Sequence, residues 1–183
     1  MGDDEAQCQV VYSDAIDGEN AEFNWVKRPG NAKITYINGS SFEGTFDQER
    51  IKQGEGVYVW MGPGGDDDEG LKEIARYEGA YENGMRNGIG KMTFPGGDTY
   101  HGVWVEGKMN GEGSYTYIKT GDIYSGSWSN NKKSGTGTYS FGADKSMLVG
   151  EWENGELISG SWELKNFANY YGMYMHEKLS LLF

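Results

Sequence analysis

The chain has 183 residues, 30 of them glycine and 14% aromatic, with a formal net charge of −12 and one cysteine. That charge disfavours nucleic acid and anionic membranes as partners, and the lone Cys8 excludes an internal disulfide framework. No run is apolar enough for a signal peptide or for the ~20 residues of a transmembrane helix, so a soluble, intracellular protein is expected and the Asn38-Gly39-Ser40 sequon reads as an unmodified turn.

In chain order, residues 1–22 are polar and acidic, and are expected to be ordered only by a partner. Phe23-Asn-Trp25 and the segment from Gly30 to Gly39 read as a degraded leading unit. From there an aromatic or large apolar residue is followed at two-residue steps by glycine and another aromatic. The copies are Phe42-Gly44-Phe46, Tyr77-Gly79-Tyr81, Tyr100-Gly102-Trp104, Tyr124-Gly126-Trp128, Leu148-Gly150-Trp152 and Tyr170-Gly172-Tyr174. After one early interruption the period is roughly 23 residues, a length that signals stacked repeats too small to bury an apolar face alone.

Within a copy the pattern has period two, hence strand. Tyr100-His-Gly-Val-Trp104 and Gly111-Glu-Gly113-Ser-Tyr115-Thr-Tyr117 form two strands around a turn at residues 106–111. Setting Trp104 opposite Gly113 places Gly102 against Tyr115 and Tyr100 against Tyr117, so each glycine makes room for a ring. The same pairing sets Tyr77 against Phe94 and Tyr124 against Phe141; Phe42 meets Trp60 if its turn is one residue longer. An insertion at about 61–76 reads as a projecting acidic loop with one helical turn at its end. Its aspartates lack the alternating ligand spacing of a calcium loop, so no metal is expected. The tail, residues 175–183, either caps the last hairpin or docks into another protein.

The spacing Tyr77-x-Gly79-x-Tyr81-x-x-Gly84-x-x-x-Gly88-x-Gly90 resembles the MORN repeat, the membrane occupation and recognition nexus. The likeness repeats over 77–152 and extends, degraded, over about 42–174. Departures are Leu148 for the opening aromatic, Asn131 for the turn glycine and a shortened turn at 155–160. The resemblance implies an all-β fold, an elongated single-layer array of antiparallel hairpins over residues 23–174, and it predicts that Gly44, Gly79, Gly102, Gly126, Gly150 and Gly172 are structural.

Catalytic chemistry is sparse. His101 and His176 lie in different copies with no serine or cysteine nucleophile motif beside either. Gly88-Ile-Gly90-Lys91-Met92 fails as a phosphate loop, because methionine stands at the serine or threonine position. A non-catalytic protein without cofactors is expected. The row Tyr81, Trp104, Trp128 and Trp152, extended by Tyr174 and Phe183, is expected to be an aromatic strip with no second layer to cover it, hence a protein-interaction surface. Small proteins of this repeat type are similar to radial spoke head proteins of motile cilia and flagella. That implies a scaffold subunit with sibling repeat proteins or other spoke subunits as partners, in a homo- or hetero-oligomer, located in the cytoplasm, cytoskeleton or axoneme. A chain running from Met1 to its own tail without a catalytic or membrane segment fits that expectation. The alternatives are a membrane- or phosphoinositide-associated adaptor and another cytoskeletal scaffold.

Overall fold

The computed structural model describes residues 8–14, 21–23, 26–64, 70–164 and 171–175, with side chains for all but 21–23 and 171–175. A first unit, ending at Gly96, contains β1 (Cys8–Tyr12), β2 (Ala21–Phe23), β3 (Gly30–Tyr36), β4 (Ser41–Phe46), β5 (Lys52–Pro63), β6 (Leu71–Glu82) and β7 (Met85–Thr93). A second, starting at Gly97, contains β8 (Thr99–Val105), β9 (Lys108–Tyr117), β10 (Asp122–Ser129), β11 (Lys132–Ser140), β12 (Met147–Glu153), β13 (Glu156–Glu163) and β14 (Tyr171–Met175). Each unit is one antiparallel sheet, ordered β7-β6-β5-β4-β3-β1-β2 in the first and β14-β13-β12-β11-β10-β9-β8 in the second. The fold is all-β, as the alternating pattern predicts, and no helix occurs among the described residues.

Local sequence sets the hairpins. Asn83–Gly84, Glu106–Gly107, Asn130–Asn131 and Asn154–Gly155 all have positive φ at both positions, the backbone of a two-residue hairpin turn matched to strand twist. Asn131, a departure from the repeat, is explained by this geometry: it adopts φ 68° and its side-chain oxygen accepts the Met109 N–H at 2.8 Å.

The register differs from the expected one by two residues. Tyr100 pairs with Tyr115, Gly102 with Gly113, and Trp104 with Met109 across a bulge. The same correction applies to Tyr77 with Met92, Tyr124 with Tyr139 and Phe42 with Tyr58. Only a two-residue turn at 106–107 is needed, because the remaining residues of the expected turn join β9 and a bulge absorbs the surplus. Glycine therefore faces glycine, and the rows continue between hairpins: Gly56 faces Gly79, Gly113 faces Gly126 and Gly137 faces Gly150.

The N-terminal segment departs from expectation. Residues 8–12 form a strand paired with β3, burying Cys8, Val10 and Tyr12 in alternation against Ala32 and Ile34. The Tyr12 hydroxyl accepts the Lys27 and Arg28 N–H groups at 2.6 and 3.0 Å, fixing the entry to the sheet. The period-two alternation of three apolar residues outweighs the acidic composition around it.

The insertion at 61–76 also differs. Its described residues form no helical turn but lengthen the hairpin of β5 and β6, with Met61 opposite Glu73 and Pro63 opposite Leu71. Ala75 is buried, Ile74 lies over Gly62, and Arg76 bridges Glu73 and Glu78 at 2.8 and 3.1 Å. Replacing residues 65–69 with a short glycine-serine linker is therefore expected to leave the circular dichroism spectrum and melting temperature close to the parent's. Extending the deletion through Arg76 should cost about 1–3 kcal/mol by thermal denaturation, because it removes paired strand and buried surface.

The sixth copy breaks the pattern. Gly172 pairs with Trp162, and Gly160 with Tyr174. Residues 176–183, including Phe183 and the expected apolar tail, lie outside the described residues.

Candidate interaction surface

Phe42, Tyr77, Tyr100 and Tyr124, the opening aromatics of the first four copies, lie over the glycines of their own hairpins. A Cβ placed on Gly113 would come 2.4 Å from the Tyr100 hydroxyl, and one on Gly137 would come 2.3 Å from that of Tyr124. Each hydroxyl reaches past the row to donate to a backbone carbonyl at 3.0 Å: Tyr77 to Ala80, Tyr100 to Val103 and Tyr124 to Ser127. The phenols are thereby buried and satisfied together.

Tyr81 and Trp128 each stand edge-on to the opening ring of their own hairpin and of the preceding one. In the second unit the ladder runs Trp104–Tyr100–Trp128–Tyr124–Trp152, with ring centres 5.1–5.3 Å apart. In the first unit it runs Phe46–Phe42–Tyr81–Tyr77, at 5.1–5.3 Å. The indole N–H groups of Trp128 and Trp152 donate to the carbonyls of Gly113 and Gly137, both at 3.2 Å. Turns add a further tie: Asn131 N–H donates to Met109 O and Gly155 N–H to Lys133 O, each at 3.0 Å.

This ladder corrects the expectation of an uncovered strip. Tyr81, Trp104, Trp128 and Trp152 are only 6, 2, 5 and 7% exposed, so no second layer and no partner is needed to cover them. Bulky rings alternating along a glycine-lined sheet cover one another. Tyr174 lies on β14 and Phe183 outside the described residues, so neither side chain is placed.

The aromatic surface that remains half-exposed in the second unit belongs to β9, β11 and β13 and the residue after β11. Tyr115 and Tyr117 have ring centres 4.6 Å apart, Tyr117 and Tyr139 5.8 Å, and Tyr139 and Phe141 5.1 Å; Trp162 on β13 is 47% exposed. In the first unit Tyr36, Tyr58 and Trp60 make an equivalent group. Carboxylates hold these rings. Asp98 accepts the Tyr115 hydroxyl at 3.0 Å and the Ile118 N–H at 2.9 Å, while Asp122 accepts the Tyr139 hydroxyl at 2.6 Å and the Gly142 N–H at 2.7 Å. The Gly142 amide bond, followed by the Tyr139 bond, holds the Asp122 carboxyl below its usual range.

Cations enter this face at one repeat position, the residue opposite the second aromatic. It is Lys52, Arg86, Met109, Lys133 or Leu157 in successive hairpins. Lys133 Nζ lies 4.5–5.6 Å from the ring centres of Tyr117, Tyr124, Tyr139 and Trp152. Lys52 Nζ lies 4.6–5.9 Å from Tyr36, Phe42 and Tyr58. Burial pulls the Lys52 ammonium down to about 8 and lowers that of Lys133. Of the adjacent cations Lys132 and Lys133, only Lys132 is exposed. In the other adjacent pair, Lys27 and Arg28, the arginine is engaged: it stacks over Tyr12 at 4.3 Å and binds Asp14.

The MORN-repeat family model matches residues 77–99, 100–119 and 124–143. Three MORN repeats are therefore present. The MORN spacing coincides with the elements just described: each match opens on a tyrosine lying over the glycine row, Tyr77, Tyr100 or Tyr124. Family and geometry together describe a repeat-based scaffold of the protein-binding or membrane-associated kind. Sequence reading missed the half-exposed stripe as a surface, although its signal is visible as aromatic-x-aromatic pairs at Tyr58-Val-Trp60, Tyr115-Thr-Tyr117 and Tyr139-Ser-Phe141.

Proposed function

We propose that this chain is a non-catalytic scaffold subunit that binds other proteins through its MORN repeats, with its place in the radial spoke head of a ciliary or flagellar axoneme. The half-exposed stripe of Tyr115, Tyr117, Tyr139 and Phe141 carries the protein-binding part of this reading. Aromatic side chains held rigid by carboxylates and neighbouring rings offer large contact area at small entropic cost, the property that makes such residues interface anchors. The net charge of −12 weighs against an anionic membrane as the partner. The axonemal placement rests on the resemblance of small repeat proteins of this type to radial spoke head proteins. Sibling repeat proteins or other spoke subunits are the partners proposed, without a cofactor.

The test is affinity purification of the tagged chain from ciliated or flagellated cells, beside a variant carrying Tyr117→Ser and Phe141→Ser. Axonemal spoke proteins should co-purify with the parent and fall at least about tenfold with the variant, as expected when interface anchors of ~2 kcal/mol are lost. Recovery of phosphoinositide-rich membranes without axonemal chains would reverse the assignment.

A further inference from the structure

The lysines on the aromatic face present a physical puzzle. Lys133 Nζ, among four rings, makes no hydrogen bond and no ion pair among the described residues, and neither does Lys52 Nζ among its three. Partial burial of an ammonium opposes its charge, as the lowered proton affinity of both groups reflects. Packing does not require that charge. Met109 and Leu157 occupy the same position in other hairpins and are 9 and 8% exposed, so an apolar side chain closes the ladder as well.

The carboxylates that share the face are committed elsewhere. Asp98 and Asp122 hold Tyr115 and Tyr139 together with the amides of Ile118 and Gly142. Beside Lys133 the Tyr117 hydroxyl also lacks an acceptor among the described residues. An ammonium over the ring of a half-exposed phenol thus stands without a hydrogen-bonded anion among the described residues; Asp122 favours the Lys133 charge from nearby but is bonded to Tyr139 and Gly142. One ammonium without a second cation fits a single carboxylate; phosphate sites gather several cations or a forked guanidinium.

We propose that the aromatic face binds a partner-protein segment in which isolated carboxylates stand among apolar and aromatic residues, with Lys133 receiving one aspartate or glutamate carboxylate between Tyr117 and Trp152 and apolar residues of the segment lying on Tyr139 and Phe141; the net charge of −12 disfavours a continuous acidic run as it does an anionic membrane. Lys52, with Tyr36 and Tyr58, forms a second site of the same kind within the first unit. The aromatic rims supply contact area and the desolvated ammonium supplies selectivity, because a partner lacking the carboxylate leaves the charge buried and unpaired. This inference rests on the protein-binding reading and names the chemistry of the partner.

Purified full chain is tested against immobilised peptides that combine aspartate or glutamate with aromatic residues, against the same peptides with asparagine or glutamine, and against lysine-containing counterparts. Vesicles of phosphatidylcholine with and without phosphatidylinositol bisphosphate form a separate arm. The acidic peptides should be retained at least about tenfold better than their amide counterparts. Lys133→Met and Lys52→Met should each weaken that preference and together abolish it, while the melting temperature is kept or raised, since methionine already stands at position 109 and a partly buried charge is removed. Lys133→Arg should preserve it. Retention of amide and acidic peptides alike would overturn this inference and leave the protein-binding reading standing. A preference surviving the double methionine variant, or no retention of any peptide set, would also overturn it. Binding to the phosphoinositide vesicles alone would overturn both.

Discussion

Gly113→Val is expected to destabilise the second unit by about 3 kcal/mol or more, the upper range for overpacking. Gly113 lies beneath the Tyr100 ring, and a Cβ there would stand 2.4 Å from the hydroxyl oxygen and 2.5 Å from two ring carbons. The ring cannot yield by a small rotation. Its hydroxyl is tied to Val103 O at 3.0 Å, and its edges meet Trp104 and Trp128 at 5.2 and 5.3 Å. Displacing it opens the ladder on both sides, so the loss includes tryptophan contacts beyond the site. Tyr100→Phe provides the scale, because it keeps the ring and removes one hydrogen bond of about 1 kcal/mol. A double variant, Gly113→Ala with Tyr100→Ala, should lose much less than the sum of its parts, since the clash vanishes with the ring. Denaturant unfolding followed by tryptophan fluorescence checks this. A Gly113→Val chain as stable as the parent would mean that Tyr100 does not lie over the glycine row.

The repeat was legible because its physics is local. The alternation of Tyr100, Gly102 and Trp104 gives strand, and a fixed period of such strands gives a sheet of hairpins. What sequence reading could not reach was the register. Shifting a pairing by two residues keeps every side chain on the same face, so the hydrophobic pattern does not discriminate between Gly102 opposite Tyr115 and Gly102 opposite Gly113. The deciding term is the bulge after the turn, whose positive φ at Gly111, 64°, carries no signature distinct from that of the turn glycines. That missed shift also explains the misread surface. With glycine against glycine, the opening tyrosines fold down over the row and the tryptophans close over them, leaving Tyr117 and Tyr139 as the open rings. Residues 8–12 and 71–76 were misread for a different reason: charged neighbours hid short runs whose buried members, Val10 and Ala75, alternate with solvated ones. The caged lysines could have been found in sequence only by aligning position 133 with 52, 86, 109 and 157, which requires the hairpin register first.

Raising the pH should unfold the protein between about pH 10 and 12, well before any backbone chemistry, because the ladder is built on phenols that cannot ionise in place. Burial pushes Tyr77, Tyr100 and Tyr124 up to about 12 from 10.0. Tyr139 and Tyr115 are raised as well, by burial first and then by the hydrogen bonds to Asp122 and Asp98. Above pH 10 the unfolded chain releases these protons while the folded chain keeps them, so the folded state binds more protons and stability falls with pH. Each buried phenol then contributes a loss on the order of 2 kcal/mol by pH 12. Lys52 acts in the opposite direction. Its folded value of about 8 lies below the ordinary 10.5, so between those values the unfolded chain binds more protons and stability rises with pH. The expected profile is a shallow gain above pH 8 followed by a steep loss past pH 10, and Lys52→Met should flatten the gain without moving the loss. The measurement is tyrosinate absorbance recorded together with near-ultraviolet circular dichroism. The tyrosines of the ladder should ionise abruptly, above pH 10, as the aromatic dichroism disappears. Smooth ionisation of all 13 tyrosines with a midpoint near 10 and the dichroism intact would show that the rings are not held in a closed ladder.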